Sequence, residues 1–240
     1  MAILPSVIIP VYCDAAALER TLATTDFSTA ELIVSATRED ASLARLRAAR
    51  KDIVWVDAPR GRAFQMNAGA AFARGDWLVF LHADTRLPAG WSDVIEDANR
   101  DPRVAAGCFR FALDSESSIA RVIELGVRMR VAILGLPYGD QAIFVRRAIF
   151  EAMGGYAHLP IMEDVDLVQR LRRRGRLFRS PKPAITSSRR WEDDGWIGRT
   201  ARHLLLIVLY FSGVSPERLV RLDTARRAHS GPPADRIPLQ

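Results

Sequence analysis

The chain has only two cysteines in 240 residues, Cys13 and Cys108, with no CxxC pair and no Cys/His spacing of a zinc site. A disulfide framework and a zinc-built domain are excluded, and both thiols are expected to be reduced core residues in a reducing compartment. No apolar run approaches the roughly 20 residues that cross a bilayer; the longest covers 204–211. The first eleven residues lack a basic leading stretch and a small-residue cleavage site, and Pro5 and Pro10 bracket their apolar run. They read as a buried strand, and the expected location is cytoplasmic. There is no Walker spacing, no GxGxxG and no internal repeat. Arginines are spread among acids instead of being gathered in one aromatic-interleaved stripe, which argues against nucleic acid as a partner.

What is present suits a packed soluble domain: 49% hydrophobic residues, 26% charged and a mean hydropathy of +0.00. At about 150 residues per domain the length allows one large domain or two small ones. Thirty-four basic residues against 28 acidic leave +6, so the chain should attract an anion such as a nucleotide phosphate or an acidic lipid headgroup.

Runs at 6–11, 31–34, 53–56 and 77–81 are rich in Val, Ile and Trp and read as strands. Between them, 15–22 carries Leu18 and Leu22 at i, i+4, and 43–49 sets Leu43 and Leu46 against outward arginines. The segment 63–73 is dense in small residues that let a helix lie close on a sheet. Strand and helix in alternation predict an α/β fold with a parallel sheet, whose ligands sit beyond the carboxyl ends of the strands. After Asp101-Pro102 the rhythm changes to α+β material. A strand over 104–113, a helix over 119–134 and a short strand over 142–145 come first. A helix over 163–174 ended by Gly175 follows, then a strand near 177–178, a proline-rich turn and a helical tail over 196–227.

Chemistry is sought where strands end. Trp77-Leu78-Val79-Phe80-Leu81 runs into His82-Ala83-Asp84-Thr85. Asp84 can hold a divalent cation against a diphosphate, since a hard metal prefers carboxylate and phosphate oxygens, or it can cap the next turn. His82 is either an imidazole ligand or a satisfied structural group. Upstream, Pro59-Arg60-Gly61-Arg62 leads into a helix start and forms either an anion cradle or a solvated basic loop. Met162-Glu163-Asp164-Val165-Asp166 gathers acids where they offset a helix dipole. Gly154-Gly155-Tyr156 and Pro160 supply a loop able to bring Glu163 and Asp164 to the sheet edge, where one carboxylate can act as general base. In Ser187-Ser188-Arg189-Arg190-Trp191, Arg and Trp can hold phosphate and an acceptor face, or form a charged turn with Trp191 in the core.

Several fragments in order resemble a family-2 glycosyltransferase of the GT-A fold, from Ser6 to about Leu222. They are Ile8-Ile9-Pro10-Val11, Arg60-Gly61-Arg62 with Gln65-Met66-Asn67-Ala68-Gly69, Gly75-Asp76, Phe80-Leu81-His82-Ala83-Asp84-Thr85, Gly139-Asp140-Gln141-Ala142, Gly154-Gly155, Met162-Glu163-Asp164 and Arg189-Arg190-Trp191. The similarity is closest to the bacterial subgroup labelled arsenosugar-biosynthesis glycosyltransferases. It implies a Rossmann-like, mostly parallel sheet flanked by helices, with an α+β C-terminal half and a helical tail. One domain is expected over 1–229: a nucleotide-binding half to about 100, an acceptor half over about 101–195 and the helical tail over 196–229. A flexible tail is expected over 230–240.

The resemblance also implies a metal-dependent, inverting transfer from a nucleoside-diphosphate sugar to an acceptor hydroxyl on a lipid or small metabolite. Asp84 is implied as the last acid of a DxD-like motif binding Mn²⁺ or Mg²⁺, with His82 at its first position, and Asp164 as the base. Pro10, Tyr12, Asp14, Arg62, Asn67 and Asp84 fall on the donor side. Gln141, Glu163, Arg190 and Trp191 fall on the acceptor side, Arg190-Trp191 resembling the end of a QxxRW motif with Ser187 where Gln would be.

One departure stands out. Relatives place an Asp-led loop after the second strand to contact the nucleotide base, whereas here Ala36 takes that place, with Ser35, Thr37, Glu39 and Asp40 as substitutes after a register change. A catalytically altered binding protein of the same fold, or a nucleotidyltransferase, is the alternative. The segment 199–213, basic at one end and otherwise almost wholly apolar, reads either as a buried C-terminal helix or as an interfacial helix on an anionic membrane, with Arg128 and Arg130 as a second contact.

Overall fold

The structure is a computed structural model that describes residues 4–229; the expected tail over 230–240 lies outside the described residues. Four strands, β1 (Ser6–Val11), β2 (Glu31–Ala36), β3 (Val54–Asp57) and β4 (Trp77–Phe80), are parallel in the order β3-β2-β1-β4. They are joined by α1 (Ala15–Thr24), α2 (Ala44–Ala49) and α3 (Arg62–Phe72). The sheet continues through β5 (Thr85–Arg86), β6 (Val104–Leu113), β7 (Ile143–Arg146) and β8 (Arg176–Thr186), giving the full order β3-β2-β1-β4-β7-β6-β8-β5. The added pairings are mixed: β7 runs antiparallel to β4 and β6, while β8 runs parallel to β6. Helices α4 (Trp91–Asn99), α5 (Ser118–Leu134), α6 (Arg147–Ala152), α7 (Glu163–Arg172), α8 (Arg189–Asp194), α9 (Trp196–Phe211) and α10 (Pro216–His229) complete the chain order.

The central strands are near-continuously apolar, apart from Ser6, Glu31 and Ser35, because helices cover both faces of the sheet. Val7, Ile9, Val34, Trp77 and Val79 join Leu18 of α1 and Trp91 of α4 in one core. Their neighbours Ile8, Ile33, Leu78 and Phe80 point the other way, onto Met66 of α3 and Val165 and Val168 of α7. Each such side chain contributes about 1.5–3 kcal/mol by burial. The small-residue face of α3 does what its composition predicts. A Cβ on Gly69 would stand 2.5 Å from Ile8 Cγ2, so the helix axis lies closer to β1 than a larger residue permits.

Several expectations are corrected. The strand near 177–178 extends over Arg176–Thr186 and passes through Pro181 and Pro183. Proline removes a ladder donor, but β5 covers β8 only at Ile185 and Thr186, so both prolines sit on an open edge. The helical tail is two helices, because the chain turns at Gly213 (φ +87°) and restarts with Pro216 at the first helical position. α7 stops at Arg172 with a right-handed Arg173 after it, so Gly175 is not its cap. Cys108 is buried, but Cys13 is exposed at φ +51°; its N–H is held by Asp40 Oδ2 at 2.7 Å as the chain leaves β1. Among the described residues no helix is long and apolar enough to cross a membrane.

Candidate active site

The register brings three loops to one edge. Phe80 at the end of β4 lies opposite Ile143 at the start of β7, which sets the turn Gly139–Gln141 beside His82 and Asp84. β8 ends at Thr186, paired with Thr85, so α8 rises from the same edge. A cavity of about 350 Å³ opens there, lined by Arg62, His82, Asp84, Tyr138, Asp140, Asp164, Arg190 and Trp191, and on its far side by Arg199, Arg202, His203 and Leu206 of α9.

Asp164 is the most firmly held acid facing this space. The Gly139 N–H donates to its Oδ2 at 2.8 Å and the Val165 N–H to its Oδ1 at 2.8 Å. Each carboxylate oxygen keeps a second lone pair. The approach depends on Gly139: a Cβ there would lie 2.6 Å from His82 Nε2 and 3.5 Å from Asp164 Oδ2. The preceding Met162 adopts φ +66°, a conformation a side chain adopts at a cost of order 1–3 kcal/mol. That turn sends the two adjacent acids apart. Glu163 is buried and takes Arg62 Nε at 2.7 Å on its Oε1, while Asp164 faces the cavity.

Asp84 is nearly buried and has Arg190 Nε 3.7 Å from its Oδ2. His82 is pushed down to about 4, first by burial and then by the charge of Arg62, so its imidazole is neutral at neutral pH. Asp140 is pushed up to about 6, chiefly by burial, and its Oδ1 has no partner. The Tyr138 hydroxyl is also buried and unpartnered, and burial raises it to about 12. Orphaned polar atoms at a cavity wall await a polar ligand, since unmatched buried groups cost stability. Among the described residues no group of three or more His, Cys, Asp or Glu is placed to hold a metal. The donor set therefore fits a divalent cation only as a shared site, with Asp84 as the hard oxygen ligand and phosphate oxygens of a bound nucleotide completing it.

Of the expected site residues, Arg62, His82, Asp84, Asp164, Arg190 and Trp191 line this cavity. Pro10, Tyr12, Asp14, Asn67, Gln141 and Glu163 do not. Pro10 is buried in β1. Tyr12 is exposed, with the Arg60 guanidinium 4.5 Å from its ring centre. Asp14 pairs with Arg189 at 2.7 Å. Asn67 bonds the Tyr156 backbone in both directions, at 2.8 and 2.9 Å. Gln141 is buried and donates to the Phe109 carbonyl at 3.1 Å. Asp40, a substitute for the acid missing at Ala36, is occupied by the Cys13 and Ser42 N–H groups. Sequence reasoning missed Tyr138, Asp140 and the arginines of α9. Arg199 and Arg202 both bond Asp194, at 2.7 and 2.6 Å, so they act inside the fold rather than as free membrane anchors.

A family model described as Glycosyl transferase family 2 matches residues 6–154. No curated protein matches the chain. Among solved structures it is similar to the mannosyltransferase PcManGT from Pyrobaculum calidifontis, determined in complex with GDP-Man and Mn²⁺. That match has 19% identity and a TM-score of 0.57, covering 85% of this chain and 62% of that one. It is also similar to S. aureus TarS 1–349, with 13% identity and a TM-score of 0.59 over 86% of this chain and 65% of that one. The same protein in complex with UDP-GlcNAc matches at 14% identity and a TM-score of 0.58, over 77% and 58%. The chain thus spans about three fifths of the length of these solved chains, and at such identities the likeness speaks to the fold.

Proposed function

The chain belongs to glycosyl transferase family 2, and from that premise we propose that it moves a sugar from a nucleoside-diphosphate sugar to an acceptor hydroxyl, with inversion. The observation that carries the reading is Asp164, an acid fixed by two backbone N–H groups at the wall of a cavity that also holds Arg62 and Arg190. In a single displacement the acceptor oxygen bonds the anomeric carbon while the bond from that carbon to the diphosphate breaks. Asp164 takes the hydroxyl proton, a role that contributes typically 10²–10⁴-fold. Arg62 and Arg190 offer planar guanidinium forks to the departing diphosphate. Glu163 orients Arg62 from below. A divalent metal bound at Asp84 would supply Lewis-acid neutralisation of the leaving phosphates. The orphaned Tyr138 hydroxyl and Asp140 Oδ1 suit sugar hydroxyls. The acceptor lies in the lipid or small-metabolite class, and the similarity to the arsenosugar-labelled subgroup does not narrow it.

Thermal unfolding against UDP, GDP, UDP-GlcNAc and GDP-Man, each with and without Mn²⁺ or Mg²⁺, tests the reading. A ligand at 100 times its Kd adds about 2.7 kcal/mol, which raises Tm by about 5–10 °C in a domain of this size. Asp164→Asn should keep that shift and lose transfer. The reading fails if no nucleotide moves Tm, or if Asp164→Asn turns over like the native chain. A binding protein without transfer is favoured by one feature, Ala36 at the end of β2 with Asp40 already occupied. A nucleotide-induced shift with neither transfer nor donor hydrolysis would establish that alternative.

A further inference from the structure

Two helices of the second half leave apolar stripes in water. On α5, Ile119, Val122, Leu125, Met129, Ile133 and Leu134 are exposed, while Ala120, Ile123 and Val127 pack inward against Trp191 and Phe111. On α9, Ile197, Leu204, Leu205, Val208 and Phe211 are exposed, while Leu206 and Ile207 pack into the core beneath. Singly exposed apolar residues are ordinary. Two touching helices that each leave such residues exposed at helical spacing present apolar surface of the kind that marks an interaction site.

Within the two helices the exposed charge is basic, with acids only before their first residues and beside the far end of α5. α9 contains no acid, and the one acid of α5, Glu124, is buried and takes Arg121 Nη1 at 2.6 Å. Arg128 is exposed beside Met129 and has no acidic partner among the described residues. At the far end of α5, Arg172 donates to the Leu134 carbonyl at 2.7 Å, and Arg179 lies 3.4 Å from the Ala132 carbonyl. A second copy docked here would set these cations against their own kind. Anionic headgroups complement them.

We propose that the α5–α9 face docks in the plane of an anionic lipid membrane, its apolar side chains entering the headgroup–acyl boundary and its arginines meeting lipid phosphates. Such faces sink about 5–10 Å, and arginine stems extend along apolar surface while their heads stay wet. α9 belongs to both surfaces: its outer side faces the lipid, while Arg199, Arg202, His203 and Leu206 line the cavity. A membrane-borne acceptor hydroxyl therefore reaches Asp164 beside the docked helix. That last step rests on the glycosyl-transfer reading; the docking itself does not.

The test is flotation of the full chain with vesicles of phosphatidylcholine alone or with about a third phosphatidylglycerol, scored without nucleotide. Binding should require the anionic lipid and weaken with salt. Arg128→Gln should weaken it about fivefold. The pairs V122D/M129D and L204D/V208D should each weaken it at least about tenfold with unchanged thermal unfolding. The neutral pair V122S/V208S, milder toward folding, should also reduce it. The proposal is overturned if the native chain ignores anionic vesicles or if all variants bind equally. It is also overturned if sedimentation shows a native dimer that the aspartate pairs convert to monomer without any vesicle binding, which would make the face a contact between copies. Nucleotide-induced stabilisation, measured in the absence of lipid, reports separately on the function proposed above.

Discussion

Arg62→Ala should destabilise the protein in a way that grows with pH. Arg62 Nε stands 2.7 Å from Glu163 Oε1, and the Glu163 side chain is 3% exposed against 46% for Arg62. The second oxygen of Glu163 has no partner. Burial already holds Glu163 above its ordinary 4.5; Arg62 opposes that rise and Asp164 adds to it. An acid whose folded pKa is raised contributes stability in acid and loses it as pH climbs. Removing Arg62 removes the stronger of the two attractions holding the charged form, the other being a backbone N–H, so Glu163 retains its proton in the fold over a pH range where the unfolded chain releases it. That difference costs up to about 1.4 kcal/mol per pH unit, hence no more than about 2.7 kcal/mol between pH 5 and pH 7. Breaking a buried pair costs about 3–5 kcal/mol. Because water already reaches half of Arg62, the expected loss is nearer 2–3 kcal/mol at pH 7 and about 1 at pH 5.

Urea unfolding at the two pH values measures this directly, and two further variants separate its causes. Glu163→Gln leaves a guanidinium that solvent can reach, so its loss should be about 1 kcal/mol at pH 5 and no larger at pH 7, because it removes an acid whose raised folded pKa lowers native stability as pH climbs. The pair Arg62→Met with Glu163→Gln removes both charges and should return to within about 1 kcal/mol of the native chain. On the proposed function, that same pair remains folded yet loses the nucleotide-induced rise in Tm, which divides the structural role of Arg62 from its role toward diphosphate. An Arg62→Ala penalty equal at pH 5 and pH 7, or a double variant no more stable than Arg62→Ala, would refute the reasoning.

Gly139→Ala places a Cβ 2.6 Å from His82 Nε2, and relieving such overpacking typically costs about 1–3 kcal/mol. It should lower kcat while the nucleotide-induced Tm shift persists, because it disturbs the N–H that holds Asp164; unchanged turnover would mean that the turn relaxes without moving the base. In native protein at pH 8 an aromatic disulfide reagent should modify one thiol, the exposed Cys13, while Cys108, buried and pushed up to about 12, reacts only in denaturant. A native Cys13→Ser chain that still reacts would contradict the burial of Cys108.

The parallel half of the sheet was legible because strands covered on both faces need apolar side chains along most of their length, and runs such as Val7-Ile8-Ile9 have no other economical use. β8 was not, since Pro181 and Pro183 look like a turn to any local reading. What rescues them is the short reach of β5, a partner strand 101 residues away in sequence and visible only in the register of Thr85 with Thr186. Cys13 shows the same limit from the other side. The low cysteine count and the lack of any disulfide or zinc spacing suggested a core thiol, but the chain turns at φ +51° to meet Asp40 and leaves the sulfur outside.

The candidate site divides along the same physical line. Position after a strand pointed to His82 and Asp84, and helix-start acids pointed to Glu163 and Asp164; nothing local said which of the second pair would face the cavity. Met162 decides that with its left-handed turn, and Gly139 makes room for the result. The apolar run of α9 is harder still, because a stretch such as Leu204-Leu205-Leu206-Ile207-Val208 is greasy on every side and carries no period to read. The two sequence readings, a helix packed on the core and a helix facing a membrane, need not compete. Leu206 and Ile207 take the first role, and Leu204, Leu205 and Val208 are left exposed for the second. A helix wanted only as a core cover gains nothing from that outer face, and its persistence beside the similar face of α5 is the physical reason to look for a lipid surface there.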